Sequence, residues 1–348
     1  MKLEIGSEKR FFDFVKNLTD TDTIALISHT DLDGLVAAKV ANEVLDANIV
    51  KFVNYEELTQ SLVDELKNAA VTKIVFTDLF IGNETFLRAL EGFAQVLIID
   101  HHITQKDWNS ARTVFLKGED GYCAGYLCYS LFSHIQSLEF FDWLVACSCV
   151  SDYCHIKTAE WLSSVYTKYN DVFEQRGLYV RTDGPLWDLQ ELLSLAIIYY
   201  KDLSRGLYTV FEGIGKTYGN IGSLRERALE VKSEIGRLVS LYNSERIPFP
   251  GGYFFLFTPR FPCSSMVSTI VSAQEIDKIV ITARPDPELD YYHVSVRRQD
   301  KKQDMSAFLK KLLHGLEDSD GGGHIPAAGG HFLKKDLHEF KRRLGIKA

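Results

Sequence analysis

Short apolar runs alternate with amphipathic stretches through the first hundred residues. "TIALIS" (23–28), "NIVKFVN" (48–54), "KIVFTD" (73–78) and "AQVLIID" (94–100) read as strands. Between them, "GLVAAKVANEVLD" (34–46), "EELTQSLVDELKNAA" (56–70) and "NETFLRALEGF" (83–93) carry helical spacing. Strands alternating with helices of this length predict a parallel sheet in an α/β domain. Strands with so few polar positions predict a sheet covered on both faces. All eight prolines lie at or after Pro185, so nothing interrupts regular structure before it.

From residue 122 the pattern turns helical, in "YCAGYLCYSLFSHI" (122–135), "FDWLVACSCVSDY" (141–153) and the stretch 188–214. A long helix with a polar face follows over 223–243, and "RIPFPGG" (246–252) ends it, reading as a linker. Strand-like runs starting at 253, 278 and 291 then alternate with helical "VSTIVSAQE" and "MSAFLKKLLHGL". The expected organisation is a first domain over 1–220, a linker helix over 221–247 and a smaller domain over 248–348.

The 348 residues, 46% apolar and 25% charged, have an ordinary globular composition with room for two domains. No apolar stretch approaches the ~18–20 residues of a membrane span. The opening "MKLEIGSEKRFFDF" lacks a signal-peptide core, so a cytoplasmic location is expected. The six cysteines form no CxxC pair and read as buried reduced thiols. The net charge of −8 is uneven. Residues 297–348 hold 12 Lys/Arg against 7 Asp/Glu, a balance of +5, which leaves −13 on the rest. An acidic body argues against tracking along long nucleic acid and favours a local anionic ligand at the basic end.

Candidate chemistry lies at the ends of three strands. The first runs into His29, Asp31 and Asp33 of "SHTDLDG", the third ends at Asp78, and the fourth ends at Asp100, His101 and His102. In parallel α/β sheets, ligands bind outside the carboxyl ends of the strands. Asp152, at the end of a helical segment, is a further candidate. One Asp before Gly is an ordinary turn or helix cap. Three polar strand ends in one sheet are harder to explain that way. So many carboxylates at close range require positive charge. Imidazole with carboxylate suits manganese, zinc or iron. Seven or eight ligands are too many for one ion and fit two, about 3.5–4 Å apart, as in metal-assisted phosphoester hydrolysis.

"DHH" after an apolar strand, "HTDLDG" after the first strand, a lone strand-end Asp and a later Asp together resemble the four motifs of the DHH phosphoesterase family. "SVRR…DMSAF…GGGHIPAAGG" resembles the DHH-associated domain, and the resemblance covers nearly the whole chain. It implies an α/β fold: a parallel-sheet DHH domain with a helical extension, joined by a linker helix to a smaller α/β DHH-associated domain. It also implies a manganese-dependent phosphodiesterase with two ions (magnesium or another divalent metal being the alternative) and a homodimer as a candidate assembly.

The family roles fall on this sequence as follows. Asp31 with His29 would hold one metal; Asp33, His101 and Asp152 the other; Asp78 would bridge them. Asp100 would be a supporting acid, and His102 would face the substrate phosphate and the leaving oxygen. Many small-substrate members place the first His four residues before the first Asp. Here His29 is two before Asp31, a spacing similar to RecJ-like and archaeal-type members. In the second domain, Arg297 or Arg298 would fork onto a phosphate. Gly321, Gly322 and Gly323 would offer backbone N–H groups as an anion nest beside His324. Ser264 and Ser265 are weaker candidates for the same cleft between the domains.

The expected substrates are short oligonucleotides or bisphosphonucleotides, since neither a further nucleic-acid module nor membrane segments are read in the chain. A RecJ-like single-strand exonuclease is the enzyme alternative, and a non-catalytic nucleotide binder is the alternative outside catalysis.

Overall fold

The computed structural model describes residues 1–176, 179–201, 203 and 206–346. The chain divides into two compact units, 1–228 and 229–348. In the first, the strands are β1 (Leu3–Ile5), β2 (Ile24–Ser28), β3 (Ile49–Phe52), β4 (Lys73–Thr77), β5 (Gln95–Asp100) and β6 (Thr113–Gly118), with a small hairpin of β7 (Gln175–Arg176) and β8 (Tyr179–Val180). Its helices are α1 (Glu8–Lys16), α2 (Leu32–Leu45), α3 (Gln60–Asn68), α4 (Glu84–Glu91), α5 (Ala124–Phe132), α6 (Asp142–Ser151), α7 (Ala159–Lys168), α8 (Pro185–Tyr200) and α9 (Gly206–Gly213). The helical expectation over 188–214 is met by α8 and α9, while its residues 202, 204 and 205 lie outside the described residues. The division between the units falls inside α10 (Leu224–Glu245).

The main sheet has the order β1-β6-β5-β4-β2-β3. Strands β2 to β6 pair in parallel, and β1 closes one edge antiparallel to β6. Every residue of β2 and β4 is buried. Period-2 alternation sends Ala25, Ile27, Ile74, Phe76, Val96 and Ile98 to one face, against Leu62, Leu66, Phe86 and Leu90 of α3 and α4. The opposite face lies under α2, whose Leu35, Val36, Ala37 and Ala38 are fully buried. Each large apolar side chain buried this way contributes about 1.5–3 kcal/mol. Strands β1 and β6 lie outside the sequence expectation; β1, an edge strand of three residues, carries no readable period.

The second unit holds β9 (Ile247–Phe249), β10 (Gly252–Leu256), β11 (Ile279–Pro285), β12 (Tyr291–Arg297), β13 (Asp320–His324) and β14 (Ala327–Leu333), with α11 (Ser264–Ala273), α12 (Met305–Leu313) and α13 (Leu337–Arg343). Its sheet order is β13-β14-β12-β11-β10-β9, and only β10 and β11 are parallel. Phe254, Ile281, Val294, Val296 and Phe332 face a core completed by Met305, Leu309 and Phe340.

Two expectations are corrected here. The stretch 246–252 is not a free linker: Ile247–Phe249 pairs with β10 as an edge strand, a position that tolerates the missing N–H of Pro248. The helix expected over 56–70 begins later, at Gln60. Before it, Tyr55–Glu57 form a separate 3₁₀ turn closed by an Asn54–Glu57 capping box. Among the described residues, no helix is long and apolar enough to cross a membrane.

Candidate active site

The strand order β5-β4-β2 decides where the polar strand ends meet. Asp78 follows the middle strand, His29 and Asp31 follow one neighbour, and Asp100, His101 and His102 end or follow the other. Asp78 is buried and takes a left-handed backbone, φ +57°, a conformation that costs about 1–3 kcal/mol and persists only where surroundings impose it. Its two oxygens point to different imidazoles. Oδ1 lies 3.2 Å from His101 Nε2, and Oδ2 lies 3.7 Å from His29 Nδ1.

His29 Nδ1 is also 3.0 Å from Asp31 Oδ2. Asp31 caps α2, its Oδ1 accepting from the Gly34 N–H at 2.9 Å. Gly34 admits no side chain, because a Cβ there would collide with the His29 carbonyl at 2.5 Å. The "DLDG" run therefore serves turn, cap and site together.

On the other side, His101 Nε2 is 3.5 Å from Asp152 Oδ2 and 3.7 Å from Asp33 Oδ2. Asp152 ends α6 and accepts from the Cys154 thiol at 3.3 Å. Asp33 has a second task. Its carboxylate accepts from the N–H groups of Ala124 and Gly125, at 2.7 and 2.8 Å, and from the Ser148 hydroxyl at 2.5 Å. It thus caps α5, a helix remote in sequence, and no local pattern announces that contact.

Asp100 is buried, with Oδ1 2.7 Å from Nδ1 of His102, while Nε2 of His102 is 2.9 Å from the Tyr55 hydroxyl. Tyr55 was missed by sequence reasoning. It lies just past the end of β3, where the strand-end rule applies equally, but no charged residue there drew notice.

The electrostatics follow from crowding. Burial alone would depress the imidazoles, but Asp31 and Asp78 raise His29 to about 10, and Asp78, with Asp152 and Asp100, raises His101 to about 9. Burial would lift Asp31, yet His29 and the Gly34 N–H hold it down at about 2. Burial pushes Asp33 and Asp78 up, and Asp152 up to about 6. The cluster gathers protons because it lacks other positive charge.

His29, Asp31 and Asp78 form one candidate ligand group; His101, Asp152 and Cys154 form another, and Asp78 also groups with His101 and His102. His29 Nδ1 and Asp78 Oδ2 are buried without a hydrogen bond. Orphaned polar atoms of this kind, on a mixed N/O ligand set, fit divalent cations.

In the second unit, Arg297, Ala327 and His324 are direct cross-strand partners, and so are Ser295, Gly329 and Gly322. These residues share the sheet face opposite the core. Nothing lies within 4 Å of where a Gly322 Cβ would stand, whereas Gly321 faces Leu309 and Leu313 of α12. The glycine run is therefore an edge strand, not the turn-like anion nest expected from sequence. Pairing with β14 takes alternate N–H groups of this edge strand into the ladder, so successive ones point opposite ways, and it leaves an open floor of small residues. Gly323, at φ +149°, could not carry a side chain against the Ala327 carbonyl at 2.5 Å.

The two arginines separate clearly. Arg298 forks onto Asp300 at 2.7 and 3.1 Å. Arg297 has a buried Nε without a hydrogen bond. Ser264 has a buried hydroxyl without a partner, and Ser265 is exposed.

No protein-family model matches the chain, and no curated protein matches its sequence. Solved structures do match. RecJ from Thermus thermophilus in complex with Mn2+ is similar at TM-score 0.60 and 14% identity, over 99% of this chain, which spans 54% of that longer protein. A manganese-bound exonuclease RecJ has TM-score 0.60 and 16% identity, over 99% of this chain and 94% of its own. The pGpG-specific phosphodiesterase PggH from Vibrio cholerae has TM-score 0.53 and 13% identity, over 92% and 97%. The chain thus has the two-domain fold of the DHH proteins, with an imidazole and carboxylate centre at its strand ends.

Proposed function

We propose that this chain is a DHH-family phosphodiesterase that uses two divalent metal ions, manganese first, to hydrolyse short oligonucleotides or bisphosphonucleotides. One observation carries the reading: Asp78 is held buried and strained between two imidazole and carboxylate groups, with one oxygen toward each. His29 and Asp31 would hold one ion, His101, Asp152 and Asp33 the other, and Asp78 both. When bound, such ions lower the pKa of water and neutralise charge on a phosphoryl group. Asp33 keeps Asp152 and His101 in register by tying α2 to α5 and α6. Asp100 fixes the ring of His102, which serves the leaving oxygen. Arg297, whose Nε is unpartnered, and His324, on the same face across β14, supply affinity for a second phosphate or the nucleoside.

A RecJ-like exonuclease on longer single strands is the second reading, favoured by the similarity to RecJ and by the spacing of His29 and Asp31. The −13 balance outside the C-terminal stretch favours short substrates. The test is hydrolysis with manganese of a length series from dinucleotide to 24-mer, beside 3′-phosphoadenosine-5′-phosphate. Rates that fall steeply beyond a few nucleotides support the first reading. Rates that hold or rise with length replace it with the second. No hydrolysis of any member leaves the binder.

A further inference from the structure

A cavity of about 420 Å³ lies against the carboxyl half of β3, the edge strand of the main sheet. That volume is in the range of a small-molecule site. Ligands of parallel sheets bind beyond the carboxyl ends of the strands, and β3 ends without a candidate metal ligand. Its end is therefore open to another part of the same ligand.

Two features join the cavity to the first ligand group. Thr30, on its wall, stands between His29 and Asp31, and its hydroxyl donates to Asn54 Oδ1 at 2.7 Å. Asn54 and Glu57, also on the wall, belong to the capped turn that carries Tyr55, whose ring lies 5.0 Å from the His29 ring. The cavity and the ligand group thus share a wall. A phosphate held at the strand ends has this cavity as the neighbour of whatever it esterifies.

The lining favours a base over a phosphate. Lys51 is engaged by Glu65, and the Glu57 carboxylate offsets the remaining Lys201. The inner wall is aromatic. Phe52 and Tyr208 are half-buried on it, each with its ring against Phe211, at centroid distances of 5.9 and 5.8 Å. A flat apolar wall with hydroxyl, amide and carboxylate at the rim matches a nucleobase, which offers a π face and a hydrogen-bonding edge.

We infer that this cavity is the base subsite for one nucleoside esterified to the scissile phosphate, with Phe52 and Tyr208 as its stacking wall. The identity of the ligand rests on the phosphodiesterase reading above. The subsite adds that the first unit recognises a base as well as a phosphate. Stacking is tolerant of base identity, so this wall selects for the presence of a base and not for its sequence.

Phe52→Leu and Tyr208→Leu remove the aromatic faces and keep apolar volume. They sit on different elements, β3 and α9, so failure of one to fold leaves the other as the test. The probes are three dinucleotide phosphonates, uncleavable because a methylene replaces one ester oxygen. One carries both bases, and each of the others lacks one. Kd is measured by calorimetry in the presence of manganese. On the complete dinucleotide each variant should bind about tenfold more weakly than wild type, the scale of a lost base–aromatic stack. With one abasic probe that difference should shrink to within about twofold, and with the other it should persist.

Equal losses on all three probes would overturn the subsite, because a packing defect does not read the base. Unchanged Kd on all three would overturn it as well, and so would a wild type that binds none. Hydrolysis of an ordinary dinucleotide tests the phosphodiesterase reading separately. Base-dependent binding without cleavage ends that reading and keeps the subsite. Cleavage without a base-dependent loss keeps the reading and ends the subsite.

Discussion

The two candidate regions are built on opposite principles. At the strand ends of the first unit, polar side chains crowd together: Asp78 faces two imidazoles, Asp33 caps a distant helix, and His102 is engaged at both nitrogens. On the open face of the second sheet, side chains are mostly absent. Gly322, Gly329 and Ala327 form a floor, and Arg297 brings a guanidinium with an unpartnered Nε. Crowding fixes reacting groups and raises the free energy of the unligated site. An open floor admits a ligand without reacting with it. The first region should therefore govern kcat and the second KM.

Asp78→Asn is the strongest way to break the comparison. It keeps shape and removes the charge shared by both ligand groups, so turnover should fall by about 1,000-fold or more in steady-state kinetics. Thermal stability should hold or rise, because a buried carboxylate among other carboxylates opposes folding. Asp33→Ala should lose turnover and stability together. It leaves the buried Ala124 and Gly125 N–H groups without acceptors, which costs about 2 kcal/mol or more in a denaturant titration. If Asp78→Asn unfolds the chain while Asp33→Ala does not, the division of labour within the cluster is reversed.

Metal affinity should depend on pH with a definite sign. His29 and His101, raised to about 10 and 9, are protonated at pH 7, whereas a ligand imidazole must be neutral. Manganese binding should therefore release protons and tighten as pH rises, by up to about tenfold per pH unit for each proton displaced. Calorimetry in buffers of different ionisation heat measures that release. Affinity that is flat between pH 6 and 8 would mean that neither imidazole is displaced from its carboxylates.

Arg297→Ala probes the other region. Loss of a charge-assisted contact of about 1.5–3 kcal/mol should raise KM roughly 10- to 100-fold with kcat nearly unchanged. Arg298→Ala should leave KM near wild type, since its guanidinium is engaged by Asp300. A larger effect at Arg298 would exchange the two assignments.

The sequence made the first region legible for a physical reason. A strand buried on both faces must be apolar, so Asp, His and His at its end are conspicuous, and parallel topology sends all such ends to one side. Asp78 stood out as the single polar end of "KIVFTD". Its place between the two groups came from strand order, which no local pattern carries. Asp33 was legible as a strand-end acid and illegible as the cap of α5, 91 residues away. Tyr55 went unread because a phenol at a strand end looks like any half-buried aromatic. In the second region the glycines were visible, but their conformation was not. A Gly run fits a turn, a nest or an edge strand equally well, and only pairing with β14 decides.

The smallest expected effect is at His324, and it tests whether the glycine strand binds at all. His324 is exposed on the sheet edge and shares its face with Arg297 through Ala327. A typical net hydrogen bond contributes about 0.5–1.5 kcal/mol, so His324→Ala should raise KM by about two- to tenfold and leave kcat alone. Gly322→Ala should repeat that effect without touching a polar group. A Cβ there meets nothing in the protein itself, so any loss of affinity reports contact with the ligand. If His324→Ala weakens binding and Gly322→Ala does not, the histidine reaches the ligand from the strand end and the glycine floor is only the packing solution for an edge strand.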